Sequence, residues 1–346
     1  MTLAERLKSY GFDFYLVLLC ATVAVASLVP ARGVAVGIVD GLTNAAIALL
    51  FFLYGARLDT GAVLAGISNW RLQLMVIGTT FVLFPVVGLV LGHLAEPWLG
   101  REVTVGLIYL SLLPSTVQSS IAFTSIAHGN VPAAVCAASI SNLAGVIVTP
   151  ILVGLLLHSG GGGFNLRSIV NIGEQILLPF VAGQLARPIV GGWIRRHARL
   201  TRVVDRGSIL LIVYSAFSAG VVAGIWSQVD RLSLLLIVVL DCLMLGIALI
   251  ATRLVGQLAR LSYADSLVLL FCGSKKSLAS GLPMANILFA GRPVGLIVLP
   301  LMLFHQIQLV VCAVIAQRNG HRFQMAEQAR ARAAASRLAA VTAPGR

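Results

Sequence analysis

Charged side chains are scarce in this sequence, making up 11% of its 346 residues, whereas hydrophobic residues make up 58%. With a mean hydropathy of +0.96, the chain has too few polar side chains to cover a soluble globule of this length. The composition therefore excludes a soluble protein. It predicts a protein embedded in a lipid bilayer, with lipid as its first partner.

Cysteines are few, and their spacing fits neither a disulfide framework nor a metal site. All five lie in apolar runs, where they serve most simply as small core residues: Cys20, Cys136, Cys242, Cys272 and Cys312. The motifs GxSxG, HExxH, the P-loop and GxGxxG after a strand are absent as well. We therefore expect neither an enzyme nor an organic cofactor. An intramembrane serine hydrolase is the enzymatic alternative, but no Ser and His spacing supports it.

Long apolar runs are what the sequence has in abundance. Each run of roughly 18 to 26 residues can cross a hydrocarbon core of ~30 Å, and none alternates as a barrel strand does. We interpret the first run as a transmembrane span rather than a removable signal peptide, because no A-x-A-like cleavage site follows it. We predict an all-α, multi-pass protein of the cell membrane with ten transmembrane helices, at 12–29, 34–54, 72–94, 103–126, 131–157, 169–185, 208–225, 232–254, 264–289 and 294–316.

The basic residues are distributed unevenly between the two sides of these spans. Of the 25 Lys and Arg residues, 18 fall on the side of both termini, 5 fall on the opposite side, and two lie inside a span. By the positive-inside rule, the N- and C-termini are expected in the cytoplasm. The same signal explains the formal net charge of +13 through lipid headgroups, without nucleic acid.

Ten spans divide into two sets of five around the glycine-rich segment 159–163. A repeat with an odd number of spans has inverted topology in its second copy. Weak similarity between the two halves, at an offset of about 160 residues, supports such a repeat. We predict an N-terminal repeat at 1–158, a C-terminal repeat at 159–317 and a basic cytoplasmic tail at 318–346. The tail is either an interfacial helix or a disordered segment. No sequence feature indicates an oligomeric state.

Polar residues interrupt the fourth helix of each half. Pro114 removes a backbone donor in span four, while Gly273 and Pro283 loosen span nine. Matching interruptions in two halves are the best sequence pointer to a transport site, although such residues also serve as packing and kink residues. The candidate binding residues are Ser115, Thr116, Gln118, Ser119 and Ser120 in span four, and Ser274, Lys275, Lys276, Ser277 and Ser280 in span nine.

Lys275 and Lys276 lie near the middle of span nine. A charge at mid-bilayer costs at least ~2.5–3.5 kcal/mol, and the ends of the span lie ~15 Å away, near the limit of snorkelling. We expect Lys276, or Lys275 on the adjoining face, either to replace a bound cation or to bind an anionic group of the substrate. Because desolvation disfavours a buried charge, proton coupling is a further alternative.

Other polar residues inside the predicted spans are weaker candidates. Glu174, Gln175 and Asp241 are the candidates to neutralise a lysine. Two further groups are expected to line the cavity: Ser139, Ser141 and Asn142 in span five, and His305, Gln306 and Gln308 in span ten. The alternative role for these six residues is hydrogen bonding between helices.

Several motifs taken together resemble the bile acid:sodium symporter family, solute carrier family 10, in its SBF-like branch. They are FFLYGARL ending span two, P-x-x-x-Q-S-S in span four, GN before span five with TP within it, and KKSLASGLP followed by FHQIQ. The resemblance runs from about Phe12 to Ala316. It implies a secondary active transporter that moves a small organic anion by alternating access. It also implies a core domain of spans three to five and eight to ten, a panel domain of one, two, six and seven, and crossing, unwound spans four and nine.

The resemblance implies a sodium site as well, with Ser119 and Ser120 as its matching residues. Two further ligands of that site match Ala134 and Ala138, and GSKKSLAS stands where the family has a glutamate. A fixed ammonium repels a nearby cation in a low-dielectric cavity. The coupling ion is thus sodium or a proton. The alternatives are a sodium-independent carrier and a non-transporting membrane regulator with the same fold, while a channel would need a continuous polar stripe.

Overall fold

The computed structural model describes residues 14–57, 69–157, 166–222, 224 and 230–342, and the side chains of 17–19, 21–57, 69–157, 176–222, 224 and 230–329. Within these ranges every regular element is a helix. The α-helices are α1 (Phe14–Leu28), α2 (Val34–Arg57), α3 (Trp70–Gly78), α4 (Phe84–Ser111), α5 (Gln118–Ile126), α6 (Val131–Leu157), α7 (Leu166–Arg196), α8 (Ala198–Val222), α9 (Arg231–Leu258), α10 (Tyr263–Gly273), α11 (Leu278–Leu288) and α12 (Val294–Thr342), and a π-helix at Thr79–Leu83 joins α3 to α4.

Seven helical segments in the described part are long and apolar enough to cross a bilayer, judged by length and composition. They are Val34–Arg57, Trp70–Ser111, Val131–Leu157, Ile176–Arg196, Ala198–Val222, Arg231–Leu258 and Val294–Ala329. Large apolar side chains such as Val82, Leu178 and Leu235 are exposed on their outer faces, where lipid covers them. The prediction of an all-helical, multi-pass membrane protein is confirmed.

Two boundaries differ from the sequence-based expectation. Spans three and four are separated by a single non-helical residue rather than by a longer loop, because the chain turns sharply at Gly100, whose φ of 72° suits a residue without a Cβ. At the other end, α12 continues past Ala316 to Thr342. The connector 159–163 and the side chains of Glu174 and Gln175 lie outside the described residues.

Small residues let α2 and α7 pack closely. A Cβ on Gly55 would meet the carbonyl of Phe180, and one on Gly183 would meet the carbonyl of Phe52. Such contacts between backbones are how helices associate in lipid. α8 packs on α1 and α2, while α4, α9 and α12 pack together around the broken helices.

Two helices are interrupted in the interior of the protein. α4 ends at Ser111 and α5 begins at Gln118, while α10 ends at Gly273 and α11 begins at Leu278. We call residues 112–117 the first break and residues 274–277 the second break. Ser277 starts α11 as its N-cap, since its hydroxyl accepts from the N–H of Ser280. Both breaks overlap the residues where the sequence predicted polar interruptions.

Candidate functional site

The two breaks touch each other directly. The N–H of Ser277 in the second break donates to the carbonyl of Pro114 in the first, at 2.9 Å. Both ends of this bond come from chain that no longer forms helical hydrogen bonds, so each break supplies a partner that the other lacks. The contact brings together the polar residues that the sequence placed in spans four and nine.

α6 holds the first break and the first turn of α11. Ser141 Oγ accepts from the N–H of Ser115 at 3.0 Å. Asn142 Nδ2 donates to the Ser115 carbonyl at 2.8 Å, and Asn142 Oδ1 accepts from Ser280 Oγ at 2.9 Å. The predicted site residues Ser141 and Asn142 therefore both hold the first break, and Asn142 also connects it to Ser280 in α11. Ser139 is half-buried on the same helix and outside this bridge.

Lys276 is enclosed by backbone carbonyls. Its Nζ donates to the carbonyls of Thr80, Ser111 and Leu113 at 2.8, 2.7 and 2.7 Å, and it lies 4.2 Å from the ring centroid of Phe84. The side chain is 0% exposed. An ammonium has three protons to donate, and all three are used here.

Irregular backbone makes these carbonyls available. In the π-helix the N–H of Phe84 bonds to Thr79, five residues earlier, and Pro85 has no N–H to offer. The Thr80 carbonyl is thus left for Lys276. In the first break the N–H of Ser115 turns to Ser141, which leaves the Ser111 carbonyl, four residues earlier, without its helical donor.

Lys275 has a different environment. Its Nζ donates to Ser119 Oγ at 2.8 Å and lies 4.2 Å from the ring centroid of Phe123. Among the described residues this is its one hydrogen bond, against three for Lys276. The lysine is 0% exposed, but Ser119 is half-buried and the neighbouring Gln118 is exposed. Lys275 therefore has donor capacity left beside the more open part of the site.

A chain of hydroxyls runs away from Lys275. Ser119 Oγ donates to Thr116 Oγ1, which bonds to Ser120 Oγ, and Ser120 Oγ donates to the carbonyl of Phe271, each at 2.9 Å. Since the last hydroxyl donates to a carbonyl, every hydroxyl in the chain has its proton directed away from the lysine. Ser119 is thereby held as an acceptor for the ammonium.

Gln308 pairs with the backbone of Lys276. Its Oε1 accepts from the N–H of Lys276 and its Nε2 donates to the carbonyl of the same residue, both at 2.8 Å. The second Nε2 proton reaches His305 Nδ1 at 2.9 Å. Gln308 thus ties α12 to the second break, whereas its neighbour Gln306 is half-buried and outside this network.

Replacing Gln308 with leucine will lower the stability of the protein. The change leaves the buried N–H and carbonyl of Lys276 without partners, at roughly 1–3 kcal/mol for each. Thermal unfolding in detergent will show a lower melting temperature than wild type. Gln306→Leu is the matched control and will unfold close to wild type; equal melting temperatures for the two variants would refute the role of the Gln308 pair.

Ser274 lies at the end of α10, where its hydroxyl donates to the carbonyl of Leu270. Asp241, expected to neutralise a lysine, does not do so. Neither of its carboxyl oxygens has a hydrogen-bond partner in the described part of the chain. The carbonyls around Lys276 have taken the place of a counter-ion, because several carbonyl dipoles can solvate one ammonium.

Broken membrane helices whose freed backbone groups meet in the protein interior are typical of secondary transporters, which bind substrate and coupling ion there. The site thus defines a transporter rather than an enzyme. Residues 13–320 match the model of the SBF-like CPA transporter family, and the chain belongs to that family.

Relatives along nearly the whole chain agree with this assignment. The chain is 50% identical over 311 residues to an uncharacterised protein of Pseudomonas aeruginosa, covering 90% of this chain and 93% of the relative. It is 49% identical over 306 residues to an Escherichia coli protein provisionally named symporter YfeH, covering 88% and 92%. It is 27% identical over 325 residues to sodium/bile acid cotransporter 7 of Rattus norvegicus, covering 91% and 94%. The resemblance inferred from the motifs is confirmed.

Proposed function

We propose that this transporter moves a small organic anion by alternating access, with Lys276 in the place of a bound cation and Lys275 as the group that attracts the anion. The observation that carries the proposal is the contrast between the two ammonium groups. Lys276 Nζ is saturated by three carbonyls, as a bound cation would be, whereas Lys275 Nζ donates one hydrogen bond among the described residues. Helix N-termini at the breaks assist an anion through their dipoles.

The order of the helices supports two inverted repeats of five spans, N-terminal at 1–158 and C-terminal at 159–317. Helix starts recur after 160 to 164 residues in the pairs Val34 and Ala198, Trp70 and Arg231, Gln118 and Leu278, and Val131 and Val294. The two breaks occupy matching positions in this series. An odd number of spans per repeat inverts the second copy in the membrane.

Two side-chain contacts follow the same offset. Glu102 binds Arg292 with N–O distances of 3.1 and 2.9 Å, and Asn130 Nδ2 donates to Asp265 at 2.8 Å. Asp265 lies 163 residues after Glu102, and Arg292 lies 162 residues after Asn130. Each contact joins the outer end of one broken helix to the other, which suits a core domain that moves as one body against a panel of α1, α2, α7 and α8. The basic residues favour an orientation with both termini and the tail 318–346 in the cytoplasm.

The ammonium group of Lys275 disfavours sodium binding at the predicted sodium site. Ser119, one of the two candidate sodium ligands, accepts from an ammonium, and Ser120 donates to the Phe271 carbonyl. An ammonium at hydrogen-bond distance from one ligand repels a second cation. The arrangement favours a carrier that works without sodium.

Uptake into proteoliposomes tests this proposal. A panel of radiolabelled organic anions will include at least one with saturable uptake, and its rate will change by less than about twofold, or ~0.4 kcal/mol, when choline replaces sodium. Protein-free liposomes are the control. Uptake that requires sodium would contradict the cation role of Lys276, and a panel without saturable uptake would favour a membrane regulator.

A further inference from the structure

Asp241 is a buried acid that the site described above does not use. It lies in the middle of α9 and is 0% exposed, on the face of the helix that also buries Ile237, Met244 and Leu245. Both of its carboxyl oxygens are without a hydrogen-bond partner among the described residues. Other acids in this part of the protein are paired: Asp205 with Arg57, Glu102 with Arg292, and Asp265 with Asn130.

Among the side chains that the structure describes, the helices packed against α9 offer Asp241 no charge partner. They are α4, α10, α12 and the π-helix. Seven titratable or charged groups on these helices are exposed: His93, Glu96, Arg101, Arg318, His321, Arg322 and Glu327. Six others make other contacts: Glu102 with Arg292, Tyr109 with Gly281, Asp265 with Asn130, Tyr263 with Asn319, Cys272 with Ala134 and His305 with Gln308. Cys312 is a buried free cysteine. The two lysines bind Ser119 and the three carbonyls.

An ionised carboxylate without a partner is the most costly group to bury, so the carboxyl carries a proton in this conformation. Even the neutral acid is less stable there than an apolar side chain, since its O–H has no acceptor. An orphaned buried polar group calls for an explanation, and an intramembrane acid most often marks an ion or proton pathway.

We propose that Asp241 is a proton-binding site of this carrier, loaded in the conformation described and emptied in a second conformation in which water reaches its carboxyl group. That water accepts the proton. The carboxylate takes up a proton again before the carboxyl group is buried once more. The coupling of this proton to anion uptake rests on the proposed function.

Infrared spectroscopy of the protein in liposomes reads the protonation state without any substrate. At neutral pH, wild type will show a carbonyl stretch of a protonated carboxylic acid that is missing in Asp241→Asn. Asp230→Asn is the matched control on the same helix. Asp230 is exposed at the N-cap, where hydrogen bonds from the side chain and backbone of Ser233 hold its pKa below the ordinary value. Asparagine also caps helices well, so this variant will keep the wild-type band.

The band must also respond to the state of the carrier. In wild type labelled with carbon-13 at the aspartate side chains, the carbonyl stretch will move to lower frequency. The band will also disappear reversibly at alkaline pH. Absence of the band at neutral pH, or a band that never exchanges its proton in D2O, would overturn the proposal. Because these measurements need no substitution, the labelled wild type distinguishes the two outcomes even if Asp241→Asn fails to fold.

Two further readouts separate a proton site from a structural acid. Asp241→Leu will have a higher melting temperature than wild type, because it removes an unsatisfied polar group. In the uptake assay, Asp241→Asn will transport the anion at a rate that no longer depends on the pH gradient. Destabilisation by leucine or an unchanged pH response would count against the proton site. If no anion is transported at all, the proposed function fails while the infrared result still stands.

Discussion

Lys276→Met will destabilise this protein more than any other single change at the two breaks. Methionine nearly preserves the length and volume of lysine, so the loss comes from the carbonyls of Thr80, Ser111 and Leu113. Each is left buried without a donor, at roughly 1–3 kcal/mol, so the summed cost is about 3–9 kcal/mol if all three stay dry. Thermal unfolding in nanodiscs will show the corresponding fall in melting temperature.

Lys275→Met provides the matched control. It removes one hydrogen bond, to Ser119, and the ring contact with Phe123, so its cost will be well below that of Lys276→Met. The smaller substitution Lys276→Ala opens space among the three carbonyls, and added sodium or potassium will raise its melting temperature by binding there. Equal stability of Lys276→Met and wild type would mean that the carbonyls do not depend on the ammonium.

Lys275→Gln will abolish most anion uptake while leaving the fold intact. Glutamine still donates to Ser119, but it lacks the positive charge that attracts the anion. A hydrogen bond to a charged group contributes about 1.5–3 kcal/mol, which converts to a loss of roughly 10- to 150-fold in uptake efficiency at subsaturating substrate. Initial uptake rates in proteoliposomes measure this loss.

Ser119→Ala separates the role of the charge from that of the hydroxyl. It removes the acceptor of Lys275 but keeps the ammonium, so its uptake will fall far less than that of Lys275→Gln. Undiminished uptake by Lys275→Gln, at a normal melting temperature, would remove Lys275 from the substrate site.

The interruptions were predictable because their causes are local. Pro114 has no N–H, and Gly273 precedes two lysines that a continuous apolar helix would not hold. The hydrogen bonds of Ser141 and Asn142 match the interhelical alternative that their short polar side chains in an apolar run suggested. The sharp turn at Gly100, in place of a longer loop, did not follow, since nothing local distinguishes this glycine from the other 33 in the chain.

The surroundings of Lys276 were beyond sequence reasoning for a different reason. Thr80 lies 196 residues away, and its carbonyl is free only because Pro85 and the π-helix remove its helical donor. Pro85 was the available signal, as a proline inside a predicted span. Every residue has a backbone carbonyl, so the sequence does not show which carbonyls will bind the Lys276 ammonium. An acidic partner would have been visible in the sequence. Asp241 was therefore expected as a counter-ion, although it lies elsewhere and has no hydrogen-bond partner among the described residues.

Counterflow most directly tests whether a fixed ammonium has replaced the coupling cation. Proteoliposomes loaded with an unlabelled anionic substrate, in sodium-free choline medium at equal pH on both sides, are diluted into the same medium with a trace of labelled substrate. Wild type will accumulate label transiently above equilibrium, and Lys275→Gln will accumulate it at least about 10-fold more slowly. Accumulation by wild type only after sodium is added would mean that the ammonium of Lys276 does not replace the cation.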